Sequence, residues 1–308
     1  MNLMCPARLI LLDGASGADL AGERIAQVYA CPAAAEPAGR LADDLGVRLT
    51  VVPELADEDS VRRADAALRE IADQHRGETV VVVAPGLDLG IGSPQAKVVI
   101  EHSGDGWSVL PGDNEVTLAT YEQAAERFRE SIPREPNTTL IELFDHLLEP
   151  GSTVLEIGSG TGRDAAELER RGYRVRRTDA AGSFVEMIRA DGFEAERLNA
   201  LTDDFGGPYD LVFADAVFLH FDRAQLRTVL LNANKAAGLL AFTTREGDGA
   251  EWSNRYLDLP RHITRWREEP LRALLAETGW SVDHLERGKT KVGSWFHILA
   301  RRAWPQPA

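Results

Sequence analysis

Cysteine is scarce in this chain of 308 residues: only Cys5 and Cys31 occur, and neither stands in a C-x-x-C or similarly close spacing. That scarcity counts against a disulfide framework and against any metal site built on thiolates, and it fits a reducing compartment. Basic residues are also short in number, 34 Lys and Arg against 49 Asp and Glu, for a formal charge of −15. A surface of that sign repels polyphosphate and anionic lipid unless its cations are clustered, so neither nucleic acid nor a membrane is an expected partner. Long apolar runs are missing as well. None approaches the roughly 20 residues needed to cross a bilayer, and Met1 to Leu12 lacks the basic segment, apolar stretch and cleavage site of a secretion signal. The expected location is cytoplasmic. What the chain does contain, 44% hydrophobic and 27% charged side chains over 308 residues, is enough for two packed α/β cores.

Turn chemistry marks the border between them. Pro111-Gly112-Asp113-Asn114 is a polar breaker between the apolar segment Trp107–Leu110 and a helical pattern, which places the domains at residues 1–114 and 115–308. In the first, Arg8–Leu12, Arg48–Val52, Thr79–Ala84 and Lys97–Glu101 have the length and Val/Ile/Leu content of buried strands. Helical stretches at Glu36–Leu45 and Val61–His75 alternate with them, giving a small sheet of four or five strands. In the second, Thr153–Ile157, Arg174–Thr178, Tyr209–Ala214 and Leu239–Thr244 are strand-like and separated by helix or loop signals, the pattern of a doubly wound sheet. Ser281–Leu285 and Ser294–Ala300 have only the turn Gly288–Gly293 between them and are expected as an antiparallel pair at the sheet's edge.

The most informative segment is Val154-Leu155-Glu156-Ile157-Gly158-Ser159-Gly160-Thr161-Gly162, a strand running into a glycine-spaced turn and then a helix over Arg163–Arg171. Glycine at alternate positions lets bare backbone N–H groups approach a ligand. The dinucleotide pattern G-x-G-x-x-G fails here, because its third glycine would fall at Arg163. The spacing E-x-G-x-G-x-G at Glu156, Gly158, Gly160 and Gly162 resembles instead the first motif of class I methyltransferases that use S-adenosylmethionine (SAM). The likeness continues in order with Asp179 ending the second strand, Asn199-Ala200-Leu201 after the third, and Tyr209-Asp210-Leu211-Val212-Phe213-Ala214-Asp215 as a fourth motif. Pro260-Arg261, Trp266, Leu271 and Gly279-Trp280 are similar to the late region of small-molecule members.

The resemblance implies a seven-stranded Rossmann-like sheet with an antiparallel edge strand, SAM as cofactor and S-adenosylhomocysteine (SAH) as product. It assigns cofactor contacts to Glu156, Gly158, Ser159, Gly160 and Gly162, to Asp179 at the ribose, to Asn199, Ala200 and Leu201 near adenine, and to Ala214 and Asp215. Tyr121, in Tyr121-Glu122-Gln123-Ala124-Ala125-Glu126-Arg127-Phe128, falls where related enzymes cover the cofactor, with Phe128 in place of a second tyrosine. It can serve the cofactor or simply dock its helix on the sheet.

Methyl transfer from a sulfonium is an in-line displacement, and a base is needed only for a protonated acceptor. His220, in Val217-Phe218-Leu219-His220-Phe221, is the candidate base, with core packing as its alternative. Glu246, in a glycine-containing loop, is a candidate to orient the acceptor. Arg245, Trp252, Tyr256, Arg261 and His262 are candidate acceptor contacts. The run Arg261-His262-Ile263-Thr264-Arg265-Trp266-Arg267 concentrates cations able to receive a carboxylate or phosphate, or forms a solvated face. No metal site is expected.

Residues 7–110 resemble a degenerate histidine phosphatase of the phosphoglycerate-mutase superfamily. Ile10-Leu11-Leu12-Asp13-Gly14-Ala15-Ser16 stands in place of its Arg-His-Gly motif and Val28-Tyr29-Ala30-Cys31-Pro32 in place of its Ser-Pro turn. His75-Arg76-Gly77-Glu78-Thr79 leads to Pro85 where a second histidine belongs. Without nucleophile or clamps, no phosphatase activity is expected; a dimerisation surface, a partner-docking platform or a wall over the methyltransferase's substrate mouth is. The leading expectation for the whole chain is methylation of an O or N atom of a small metabolite, in specialised biosynthesis. A SAM-sensing or partner-binding regulator is the alternative, and an NAD-dependent oxidoreductase is disfavoured by Arg163.

Overall fold

The computed structural model describes residues 6–15, 20, 23–56, 61–87, 97–103, 106–110, 112–291 and 293–303. It divides into two compact units, Met1–Gly112 and Asp113–Ala308. The second begins two residues before the expected border because Asp113 already belongs to its first helix. Ser16 and Pro111, quoted above, lie outside the described residues. Among the described residues no helix is long and apolar enough to cross a membrane, and no group of three or more His, Cys, Asp or Glu could hold a metal ion.

The first unit runs β1 (Arg8–Leu12), β2 (Ile25–Ala30), α1 (Ala35–Leu45), β3 (Arg48–Val51), α2 (Val61–Gln74), β4 (Thr79–Val83), β5 (Lys97–Ser103) and β6 (Gly106–Leu110). Its sheet has six strands in the order β3-β2-β4-β1-β5-β6, parallel from β3 to β1 and antiparallel beyond. The four or five strands expected omitted β2, whose Ile-Ala-Gln-Val-Tyr-Ala lacks clean alternation, and β6. Val80, Val81, Val82 and Val83 are fully buried at the centre against Leu9, Val28 and Leu68. That continuous apolar run is what a parallel strand covered on both faces requires.

The second unit opens with α3 (Asp113–Ser131) and α4 (Thr138–Glu142). It continues through β7 (Thr153–Ile157), α5 (Arg163–Arg170), β8 (Arg174–Asp179), α6 (Gly182–Ala190), β9 (Glu196–Arg197), β10 (Tyr209–Ala214), α7 (Arg223–Ala236) and β11 (Ala237–Glu246). The chain then forms β12 (Ala250–Ser253), β13 (Arg261–Trp266), α8 (Glu268–Glu277), β14 (Trp280–Thr290) and β15 (Gly293–Arg302). The sheet follows β12-β13-β11-β10-β7-β8-β9, with β15 on β11 and β14 on β15. Two expectations are corrected. The sheet has nine strands, not seven, because the hairpin β12–β13 continues it beyond the end of β11. The expected antiparallel pair does end the sheet, but the strand that runs against the others is not the edge strand: β15 is bonded on both sides, to β11 and to β14, and β14 is outermost. Phe296, Ile298 and Ala300 are accordingly fully buried, as an interior strand demands, whereas β14 shows an alternating, largely exposed pattern.

Candidate active site

Strand β7 ends in a chain reversal that only glycine makes without strain: Gly158, Gly160 and Gly162 have φ of 72°, 54° and 77°. A Cβ on Gly158 would come within 2.3 Å of Val217 Cγ2, so the turn is also packed too tightly for a side chain. The reversal is tied to the next strand. Ser159 N–H donates to Thr178 O at 2.8 Å, and Ser159 Oγ donates to the buried Glu156 carboxyl and accepts from Thr178 N–H at 3.1 Å. Gly160 N–H donates to Asp179 Oδ2 at 2.9 Å, and Ala181 N–H donates to Oδ1 at 2.9 Å. Burial pushes Glu156 up to about 8 and Asp179 up to about 6. Glu156 is thus a neutral strut below the turn, and Asp179, which also receives the Ala180 backbone N–H, a carboxylate at neutral pH that keeps acceptor capacity for a ligand.

One wall of the cleft is α3. Its Glu122 carboxylate accepts Gly182 N–H at 2.7 Å and Ser183 N–H at 2.9 Å, capping α6, which has no cap of its own. Next to it, Tyr121 Oη lies 3.0 Å from His220 Nε2, and His220 Nδ1 lies 2.7 Å from the His262 carbonyl oxygen. A carbonyl only accepts, so Nδ1 carries the proton and Nε2 receives the Tyr121 hydroxyl. Arg261 Nη1 donates to the same hydroxyl at 3.3 Å. Burial holds His220 down to about 4, so it is neutral at physiological pH.

The far end is ionic. Asp215, one residue past β10, accepts from Asn137 Nδ2 at 2.8 Å, Thr243 Oγ1 at 2.8 Å and Arg163 Nη2 at 3.1 Å. Asp164 accepts Asn137 N–H at 2.7 Å, and burial together with the Asp215 charge pushes it up to about 6. The cleft between them is partly open to solvent and lined by α3, the 158–162 turn, the end of β8 and the segment after β10.

A family model described as a methyltransferase domain matches residues 126–285, slightly over half of the chain. The chain belongs to this methyltransferase family. No curated protein matches it in sequence. Among solved structures, the 1,6-didemethyltoxoflavin N1-methyltransferase of Burkholderia thailandensis, determined with 1,6-didemethyltoxoflavin and S-adenosylhomocysteine, is similar at 17% identity. Its TM-score is 0.51 over 69% of this chain and 99% of that one. The CcbJ methyltransferase of Streptomyces caelestis is similar at 15% identity and TM-score 0.50, over 60% of this chain and 98% of that one. Both likenesses concern the fold.

The methyltransferase cleft brings together Tyr121, Gly158, Ser159, Gly160, Asp179, Asn199, Ala200, Asp215 and His220 from the sequence-derived set. Its chemistry fits SAM: a turn without side chains, a buried carboxylate able to accept two hydroxyls, and apolar walls from Phe128, Phe184 and Leu198. Other candidates support the cleft from behind. Glu156 is the strut, Gly162 begins α5, Ala214 is wholly buried, and Leu201 packs on the main core. Arg261 and His262 reach it only through Tyr121 and His220. Glu246 is not brought to it: its carboxylate is bound by Arg287 Nε at 2.8 Å. Arg245 lies farther along β11, and Trp252 and Tyr256 are about half exposed. Asn137, Asp164 and Thr243 were missed, since nothing local marks them. Arg163 was noticed only as an interruption of a glycine pattern.

Proposed function

We propose that residues 113–308 hold SAM with its adenosyl part against the 158–162 turn and Asp179, and pass its methyl group to an oxygen or nitrogen atom of a small metabolite, in specialised biosynthesis. SAM supplies an electrophilic methyl on a sulfonium; the chain supplies geometry and exclusion of water. The remaining acceptor capacity of Asp179 suits the ribose hydroxyls, and Asn199 and Ala200 suit adenine. Tyr121 borders the methionine end. His220 acts as a positioning group, since its Nε2 already takes the Tyr121 hydroxyl and burial keeps the ring a weak base. A site of that kind suits an acceptor that arrives without its proton, a neutral amine or an ionised oxygen. The surface charge of −15 favours a small molecule over nucleic acid.

The observation that carries this reading is the buried Asp179 carboxylate braced by the glycine turn. Calorimetric titration with SAH tests it. Wild type is expected to bind, and Asp179→Ala to bind about 10- to 100-fold more weakly, the loss of two charge-assisted hydrogen bonds. Undiminished binding by that variant overturns the reading. Release of SAH on a panel of amines and phenols separates an enzyme acting on such acceptors from a SAM-sensing protein.

For the first unit, the phosphatase-like reading rests on topology. The carboxyl ends of the adjacent strands β1, β4 and β2 carry Asp13, Pro85 and Cys31, and Asp13 Oδ1 accepts Gly86 N–H at 2.9 Å. No imidazole stands there to serve as nucleophile, so no turnover of p-nitrophenyl phosphate is expected.

A further inference from the structure

The cations of segment 261–267 do not act together. Arg261 is occupied by Tyr121 and by the Arg255 carbonyl, and Arg267 is paired with Asp248 at 2.6 Å. Arg265 lies farther along the strand, at its carboxyl end. It is registered directly beside Arg245 on the neighbouring parallel strand, and paired residues of a sheet share a face. Glu251 pairs with Arg265. Arg255 is near enough that its charge, with that of Arg265, is felt at Arg245.

Arg245 itself is built in. It is only 7% exposed, and its guanidinium carbon stands 5.0 Å from the centroid of the Trp295 ring, the residue registered opposite it on β15. Gly293 leaves it room: a Cβ there would come within 2.9 Å of Nη2. Gly247 does the same for Arg265, whose Cδ would lie 2.8 Å from an added Cβ. Burial lowers the Arg245 pKa, and the two neighbouring guanidiniums lower it further, against Glu251. Arg245 and Arg265 side by side, with the charge of Arg255 close by, raise the local positive potential, which an incoming anion lowers.

The position along the strand gives the cluster its meaning. Thr243 and Arg245 point to one face of β11, and Thr243 donates to Asp215 at the ionic end of the cofactor cleft. Two residues of strand separate them by about 7 Å. Ligands of open α/β sheets lie at this carboxyl end.

Building on the methyltransferase reading above, we propose that the acceptor carries an anionic head group, a carboxylate or a phosphate, which docks on Arg245 and Arg265 beside Trp295. The acceptor then spans about 7 Å or more between that group and the atom methylated near Asp215.

The test uses the full chain saturated with SAH and four probes, benzoate, benzamide, phenyl phosphate and phenol, titrated by NMR chemical-shift perturbation. At least one anionic probe is expected to bind about tenfold more tightly than its neutral counterpart, and which one does so identifies the head group. Arg245→Gln and Arg265→Gln are each expected to lose about that factor while SAH affinity stays within about twofold. Equal binding of charged and neutral probes by wild type overturns the proposal without recourse to any variant. So does an undiminished anion affinity in both variants. Absence of SAH binding by wild type overturns the underlying methyltransferase reading instead, a result the SAH titration reads separately.

Discussion

At Gly158, conformation and packing act against the same substitution. Gly158→Ala is expected to lower stability by about 1–3 kcal/mol and to abolish measurable SAH binding, because the added Cβ meets Val217 in a left-handed backbone. Adding Val217→Ala is expected to recover part of the stability, leaving the φ penalty, as thermal denaturation of the pair would show. Asp179 makes cofactor binding acid-sensitive. Its carboxyl titrates near 6, and only the ionised form accepts both hydroxyls, so SAH affinity should be level above pH 7 and fall by up to about tenfold per unit below 6. Asp179→Asn should flatten that dependence in calorimetry. Glu156 has the opposite consequence for folding. Its native pKa near 8 exceeds the ordinary 4.5, so the folded state holds a proton that the unfolded state releases. Stability should therefore fall as pH rises from about 4.5 to about 8, by up to about 1.4 kcal/mol per unit, and level off above, and Glu156→Gln should remove that slope in urea titrations. These residues were legible in the sequence because strand, turn and acid sit at fixed short spacing. Asn137 and Thr243 were not, because each acquires its role only when the fold brings the start of α4 and strand β11 to Asp215.

Among the elements, α6 depends on a neighbour for its start. Its N-terminal N–H groups are satisfied by Glu122 from α3, and Glu122→Ala is expected to cost about 1–2 kcal/mol, more than an ordinary exposed substitution. Strands β1, β7 and β10 were read to the residue, since each is a short apolar run ended by a polar or glycine turn. The hairpin β12–β13 escaped notice because Arg-His-Ile-Thr-Arg-Trp reads as a basic segment; four of its first burial positions are nevertheless closed to solvent through pairing with β12 and contact with α3. The place of β15 escaped for a different reason. An antiparallel pair at a sheet's edge looks the same in sequence whichever of its two strands lies against β11.

For the molecule as a whole, each unit has its own buried cluster, and every residue lining the cofactor cleft belongs to the second. A fragment of residues 113–308 is therefore expected to fold and to bind SAH within about threefold of the full chain, within the scatter of about 0.5 kcal/mol for distant sites; calorimetry on the fragment checks this. Helix α3 bears on how that cleft is used. Thr117 accepts from the His262 backbone, Thr120 donates to Pro260 O at 2.6 Å, Arg127 donates to Leu257 O at 2.6 Å, and Tyr121 and Glu122 hold His220 and α6. A nucleoside entering beneath a helix moored at five points must first loosen some of them, and the spent product must do so again. Admission and departure, rather than the displacement at carbon, would then set the tempo of turnover, and weakening a single mooring such as Thr120 would quicken both at the expense of affinity.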